Sequence, residues 1–376
     1  VRRAMGEQER GVNGGAQAAA YVHLAPIQPW AILDREGQIA KSASLPPDLS
    51  REDLRALMYR MVFVRVWDDR AVALARQGRL GFYAPVAGQE ATMVASQYAL
   101  QKQDWILPGY RDLPQMYFHG YPMYQLFLWS RGHQHGGEVC EDVSVMMPQI
   151  IIGAQYVQAV GVAMGIKKHK ETDRVVVTYT GDGGTSQGDF YEALNFAGVY
   201  CLPIIFVVQN NRYAISTPVA KQTAAQTLAQ KGIAAGIACM QVDGMDALAV
   251  YQVVQDARNR ALAGQGPTLI EALNYRLGPH SMSGDDPGRY RLEEEQTSYA
   301  ASEPLERLRK YLIAGNLWSQ ADEERVVSHA QQVLEDAVRE ADSYPAMEMK
   351  QLFETMYSGP RDSLLQQLDW FDRGGG

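Results

Sequence analysis

Leu54, Leu57, Met58, Met61 and Val62 recur at intervals of three and four, the spacing that places side chains on one face of an α-helix. Ser50 stands just before this run with Asp53 three residues on, a capping-box pattern that marks the helix start. The helix is expected to end before Gly78. Gly81-Phe82-Tyr83-Ala84-Pro85 reads as a loop, and a second helix is expected from about Gly88-Gln89-Glu90. Further along, the period changes. Arg174 to Thr180, Pro203 to Gln209, a run ending at Val242-Asp243-Gly244, and Thr268 to Leu273 are short and almost continuously apolar. Between them, Asp189 to Tyr200 and Asp246 to about Leu262 carry helical spacing. Buried strands alternating with helices predict a doubly wound α/β fold with a mainly parallel sheet, covered on both faces. From about Glu303 onward the chain is charged and amphipathic, with Val326, Ala330, Val333 and Leu334 on a shared face. Val1 to about Leu45 is rich in Gly, Ala and Gln with weak periodicity and is expected to be an extended arm, partly disordered at its tip. These shifts divide the chain into an N-terminal arm over 1–49, an α/β domain over 50–302 and a C-terminal helical extension over 303–376.

Composition narrows the function classes. A formal net charge of −8 with no long basic run argues against nucleic acid as a partner. No apolar stretch reaches the ~18 residues of a membrane-spanning helix, so no membrane segment is expected. Arg2-Arg3 is not followed by an apolar run, which speaks against a signal peptide. Cys140, Cys201 and Cys239 lie far apart, which rules out a disulfide framework or a cysteine zinc site as organising feature and points to a reducing cytoplasm. One predicted helix is dense in small residues: Gly153, Ala154, Gly161, Ala163 and Gly165. Such a helix permits close approach of a neighbour, either inside the domain or at a subunit interface.

The candidate chemistry sits at two strand ends. Gly181-Asp182-Gly183-Gly184 follows one strand and Asn210-Asn211-Arg212-Tyr213 the next. The stretch between them has room for a loop, one crossover helix and one strand, so both motifs should meet at the carboxyl edge of the sheet, where ligands bind in such folds. Asp-Gly or Asn-Asn alone is ordinarily a turn; strand–GDG–helix–strand–NN is far more specific. The residue types suit a diphosphate held through Mg²⁺, which takes about six oxygen ligands and only a few from protein. Asp182 offers a carboxylate, Asn211 an amide oxygen and Tyr213 its backbone carbonyl. Gly183 and Gly184 are expected to let the backbone approach the phosphates. His133 and His135 have metal-ligand spacing, but no further ligand cluster accompanies them.

TYTGDGGTSQGDFYEALNFAG followed by PIIFVVQNNRYAIST resembles the thiamine-diphosphate motif of 2-oxoacid dehydrogenase alpha subunits. The likeness runs from about Asp34 to about Ala341. GRLGFYAP, ILPGYRD, FLWSRGHQHG, PQIIIGAQY and GPHSMSGDDPGRYR resemble the pyruvate-specific branch of Gram-positive bacteria. The resemblance implies that Tyr110 and Arg111 contact the cofactor and its diphosphate; read without it, Arg111 beside Asp112 is a surface ion pair. It implies that the backbone of Ile150 and Ile152 holds the aminopyrimidine ring; read without it, both are core isoleucines. It makes His280 the active-site loop histidine and His135 a second histidine near the substrate. His280, with a pKa near neutral, would serve in reductive acetylation more than in cofactor binding. Asp189 and Glu192 match acids that line a water-filled tunnel between active sites, although helix N-terminal acids also favour the dipole there.

The resemblance further implies thiamine diphosphate and Mg²⁺ as cofactors, and a heterotetramer of two alpha and two beta chains. Its activity is decarboxylation of pyruvate and reductive acetylation of a lipoyl group on the dihydrolipoyl acetyltransferase core. Branched-chain 2-oxoacids and acetoin are the alternative substrates, and a non-catalytic assembly subunit is the alternative of another class. No glutamate here matches the one that activates the cofactor, which the beta chain supplies in this family. Two departures stand out. Ala84 occupies the place of a histidine in the mitochondrial enzymes and cannot replace it. Ser281 occupies the place of a mitochondrial phosphorylation site, within a different local sequence.

Overall fold

The alternation of side chains along each strand decides how the two faces of the sheet are filled. The computed structural model describes residues 29–148, 150–359 and 361–374; the expected disorder of the arm's tip lies outside them. In chain order the first elements are α1 (Arg51–Arg76), α2 (Glu90–Tyr98), β1 (Trp105–Leu107), α3 (Leu113–Phe118), α4 (Met123–Ser130), α5 (Ala154–His169), β2 (Val176–Gly181), α6 (Gly188–Val199) and β3 (Ile204–Asn210). There follow β4 (Tyr213–Ala214), β5 (Thr217–Pro218), α7 (Lys231–Ala234), β6 (Ala238–Asp243), α8 (Ala247–Leu262) and β7 (Thr268–Leu273). The chain closes with α9 (Glu293–Ala300), α10 (Pro304–Ala314), α11 (Gln320–Ser343), α12 (Met349–Met356) and α13 (Asp362–Asp372).

Five strands form one sheet in the order β1-β2-β3-β7-β6, and every pair is parallel. Val177, Tyr179, Ile205, Val207 and Ile270 point into one buried layer, shared with α1, α2 and α8. Val176, Ile204, Phe206, Val208 and Leu269 point into the other, shared with α5 and α6. This is the period of two expressed as two cores. Strand β1 was not anticipated: three residues are too few to show a period. β4 and β5 form a small antiparallel hairpin beside the sheet.

Helix α1 starts as its cap requires. Ser50 Oγ accepts from Asp53 N at 3.1 Å, and Asp53 Oδ2 accepts from Ser50 N at 2.9 Å. Val326, Ala330 and Leu334 of α11 and Leu305, Leu308 and Leu312 of α10 pack into the same core as Leu54, Leu57 and Met61 of α1. Trp30 extends the sheet past β6: its N donates to Gln241 O and its O accepts from Asp243 N, both at 2.8 Å. Helix α5 divides its small residues. Ala159 and Ala163 are fully buried against α6, whereas at Gly161 and Gly165 no atom of another described element lies within 4 Å of where a Cβ would stand.

Candidate active site

β2 and β3 are hydrogen-bonded neighbours, with Gly181 opposite Gln209, so the two sequence motifs emerge side by side at their carboxyl ends. A cavity of about 390 Å³ opens there, within the size range of small-molecule sites. Of the sequence-predicted residues, Tyr110, Arg111, Ile150, Ile152, Asp182, Gly183, Gly184, Asn211, Tyr213 and His280 all line it.

The metal-directed pair is buried: Asp182 and Asn211 are each 2 % exposed. Asn211 Nδ2 donates to Gln89 Oε1 at 3.1 Å, which commits the amide nitrogen and leaves Oδ1 with only a long bond from Tyr213 N at 3.5 Å. Burial pushes the Asp182 carboxyl above its ordinary range, against the hydrogen bond that Gln222 Nε2 donates to Oδ2 at 2.7 Å. Arg276 and Arg111 act on it only from outside ion-pair distance among the described residues; a buried carboxylate without a close ion pair is costly, and an added cation would relieve that cost. Tyr213 O faces Arg276 Nη1 at 3.4 Å. Gln89 and Gln155 line the cavity, and Gln89 Nε2 and Gln155 Oε1 are buried without a hydrogen-bond partner among the described residues. Such orphaned groups are normally satisfied by something. An oxygen-rich ligand carrying a hard cation fits this donor set.

The glycines of the turn also have a packing role, and one expectation changes in the structure. Gly184 is required by packing: a Cβ there would lie 2.1 Å from Thr180 Oγ1 and 2.2 Å from Tyr156 Oη. Those hydroxyls hydrogen-bond each other and fill the space beside the turn. At Gly183 a Cβ would meet Ala214 Cβ at 2.7 Å, so that glycine lets the hairpin close on the GDG turn. Ile150 and Ile152 are not core residues: they are 55 % and 39 % exposed, because the segment before α5 runs along the rim of the cavity lining rather than under the sheet.

Arg111 is buried and no ion pair to Asp112 forms among the described residues. Its Nε donates to Pro85 O at 3.2 Å and its Nη2 to His280 O at 2.6 Å. Asp112 instead fixes the turn from below, accepting from Gly109 N at 2.7 Å and Gln209 Nε2 at 2.5 Å. Arg111 Nη2 and Arg276 Nη1 both reach His280 Nδ1 at 3.3 Å. Burial and these two guanidinium groups push the His280 imidazole down to about 3. The expected near-neutral histidine is therefore held uncharged in the protein alone, because two fixed positive charges face it.

His135 is not among the residues lining the cavity. It sits on a 3₁₀ turn over 134–137, stacked on His133 and against Tyr344, with Nδ1 bonded to Glu138. No group of three His, Cys, Asp or Glu residues suited to a metal ion occurs among the described residues. Asp189 and Glu192 are exposed on α6. Sequence reasoning missed Gln89, Gln155 and Gln209, whose positions on the cavity depend on packing across elements. It also missed Arg276, fully buried and bonded to Ile215 O at 3.1 Å and Tyr290 Oη at 2.9 Å.

Comparison with known proteins matches this geometry. Residues 58–350 match the family described as dehydrogenase E1 component. The chain is 53 % identical over 338 residues to the pyruvate dehydrogenase E1 component subunit alpha of Bacillus subtilis, covering 90 % of this chain and 91 % of that one. It is 54 % identical, with the same coverage, to the proteins of that name in Staphylococcus aureus and Staphylococcus epidermidis. No helix among the described residues is long and apolar enough to cross a membrane. A match that takes in the whole sheet, the cavity and the helices packed on α1 means that this chain belongs to the dehydrogenase E1 component family, which depends on thiamine diphosphate.

Proposed function

We propose that the chain is the alpha subunit of a pyruvate-decarboxylating E1 component. It would act in the cytoplasm as half of an α₂β₂ heterotetramer, and pass the acetyl group to the lipoyl domain of a dihydrolipoyl acetyltransferase core. The observation that carries this reading is identity above one half over nine-tenths of the chain to pyruvate dehydrogenase alpha subunits, together with an intact Asp182, Asn211 and His280 lining one cavity. That intact set argues against a non-catalytic assembly subunit.

In this reading Asp182, Asn211 and the carbonyl of Tyr213 hold Mg²⁺, and Arg111 holds the diphosphate, since a guanidinium matches phosphate oxygens with parallel donors. Bound there, thiamine diphosphate supplies the electron sink for decarboxylation. Tyr110 and Phe82 wall the cavity, their rings edge to face at 5.5 Å, and narrow the space for an acyl group. Ile150 and Ile152 present backbone to the aminopyrimidine while their exposed side chains await the beta chain. The exposed Gly161 and Gly165 face of α5, with Val157 and Met164 exposed beside it, supports the subunit-interface reading of that helix. His135 would join the substrate site only in the assembled complex.

The test is co-expression with the beta chain and a substrate panel with an artificial electron acceptor. Pyruvate is expected to exceed 3-methyl-2-oxobutanoate in kcat/KM, since each extra methyl group is worth about 1–3 kcal/mol in a closed pocket. Equal or better turnover of the branched acid, or of acetoin, moves the chain to another branch of the family.

A further inference from the structure

Asp68 lies on α1, three residues after Arg65, and is 3 % exposed. No cation is within ion-pair distance of it among the described residues. Its carboxylate is satisfied instead by one loop. Oδ1 accepts from Tyr83 Oη at 2.7 Å and from Val86 N at 2.8 Å, and Oδ2 accepts from Ala87 N at 3.2 Å. One turn along, Glu90 Oε2 accepts from Gly88 N at 2.8 Å and Glu90 Oε1 is held by Arg65 Nε at 2.6 Å. The segment between 83 and 90 is thus held to α1 by Asp68, and at its end by Glu90 through Arg65.

The other side of the same loop builds the cavity. Phe82 lines it and meets Tyr110 edge-on; Tyr110 in turn meets His280 with ring centres 5.9 Å apart. Pro85 O accepts from Arg111 Nε. Tyr83 O and Ala87 O accept from Met282 N and Leu277 N, each at 2.9 Å, on either side of His280. At Gly88 (φ +91°) a Cβ would stand 2.1 Å from Tyr275 O, so the loop is pressed directly onto the chain leaving β7. Asp68 therefore holds backbone next to the carbonyls that meet Arg111 and the His280 segment, while Phe82 is tied in addition to Ser130.

We propose that Asp68 is a positioning residue for the acyl end of the site, whose carboxylate sets the loop over 82–87 and through it the Phe82 wall and the seat of His280. The proposal rests on the functional reading above for its substrate consequence, but not for the clamp itself. A carboxylate is required because three donors converge on two oxygens. An amide of the same size would turn its own N–H groups on one of those donors and leave it buried and unpaired.

The test uses Asp68→Asn and Tyr83→Phe in the alpha chain purified with its beta chain. Hydrogen exchange reads the clamp: amides of Val86 and Ala87 are expected to lose protection in Asp68→Asn while those of β3 and β7 keep theirs. The ratio of kcat/KM for pyruvate over 2-oxobutanoate reads the wall, and is expected to fall about tenfold, the scale of one methylene in a pocket. Cofactor affinity by titration should stay within about threefold, because no phosphate contact is removed. Tyr83→Phe removes one bond without touching α1 and should move both readouts the same way by less. It carries the test if Asp68→Asn fails to fold. Unchanged exchange in the loop, or equal loss for both substrates, overturns the proposal. Loss of loop protection in a complex whose parent turns over neither substrate supports the clamp and overturns the functional reading instead.

Discussion

Arg111 and Arg276 reach the same ring nitrogen of His280, and burial together with their charge keeps that ring neutral. A base whose folded pKa is lowered, here to about 3 from 6.5, contributes stability that is intact above its unfolded value. That stability is lost as pH falls from 6.5 toward 3. His280→Gln should therefore flatten the acid limb of the stability curve; equal slopes in both proteins would show that the ring does not titrate in this window. Negative charge from a bound diphosphate would offset the arginines and raise the imidazole toward its ordinary range. Ring titration by NMR should move upward when cofactor is added, and His280→Ala should slow acetyl transfer to a lipoyl domain far more than it weakens cofactor binding. Asp182→Ala should abolish Mg²⁺-dependent cofactor binding with an unchanged circular dichroism spectrum. Gln89→Leu should weaken the same binding by about fivefold, since one hydrogen bond that orients Asn211 is worth about 1 kcal/mol. Normal titration of Asp182→Ala would remove both assignments.

Among the elements, α5 serves two neighbours. Its alanines close on α6 within the chain, while Gly161 and Gly165 face outward with open space where a Cβ would stand. Nothing among the described residues requires glycine at those two positions, and two glycines in a helix interior cost about 1 kcal/mol each relative to Ala. A second backbone approaching that face would account for them. Gly161→Leu should leave the alpha chain folded, with unchanged helical content and thermal transition, yet prevent co-elution with the beta chain. Normal assembly of that variant would return the glycines to chance. The GDG turn behaves differently, since Gly184 is pinned by Tyr156 and Thr180 and tolerates no side chain.

At the scale of the molecule, the cavity is walled by this chain on the side of the sheet and open on the side of 150–152, where three isoleucines stay exposed, Ile151 at 73 %. Tyr191, Phe196, Val199 and Tyr200 on α6 are exposed as well. An apolar surface of this extent marks an interaction face. In the proposed reading, a reacting end beside that face would stay in water until a partner covers it, and electrostatic stabilisation there would be weak. The isolated chain should accordingly show no turnover of pyruvate with Mg²⁺ and cofactor in excess, and activity should appear on adding the beta chain. Turnover by the rigorously purified alpha chain at the rate of the complex would place the missing activating acid within this sequence.

The strands and helices of the central domain were legible from residue patterns alone, because buried parallel strands need unbroken apolar runs and their helices need a period near 3.6. That Asp182 and Asn211 line one cavity was legible for the same reason: adjacent strands of a βαβ unit end at one edge of the sheet. What the sequence could not decide was every relation that crosses elements without a local signal. Gln89 reaches Asn211 over a long separation in the chain, Arg276 lies buried between two loops, and Ile150 and Ile152 stand exposed where hydrophobicity alone placed them in the core. The protonation of His280 depends on where two distant arginines come to rest, and the need for Gly184 on a tyrosine from another helix. Composition and periodicity determine which faces of each element are buried; the distances between side chains on different elements, and hence charge, orientation and the shape of the cavity, are set only when those faces pack.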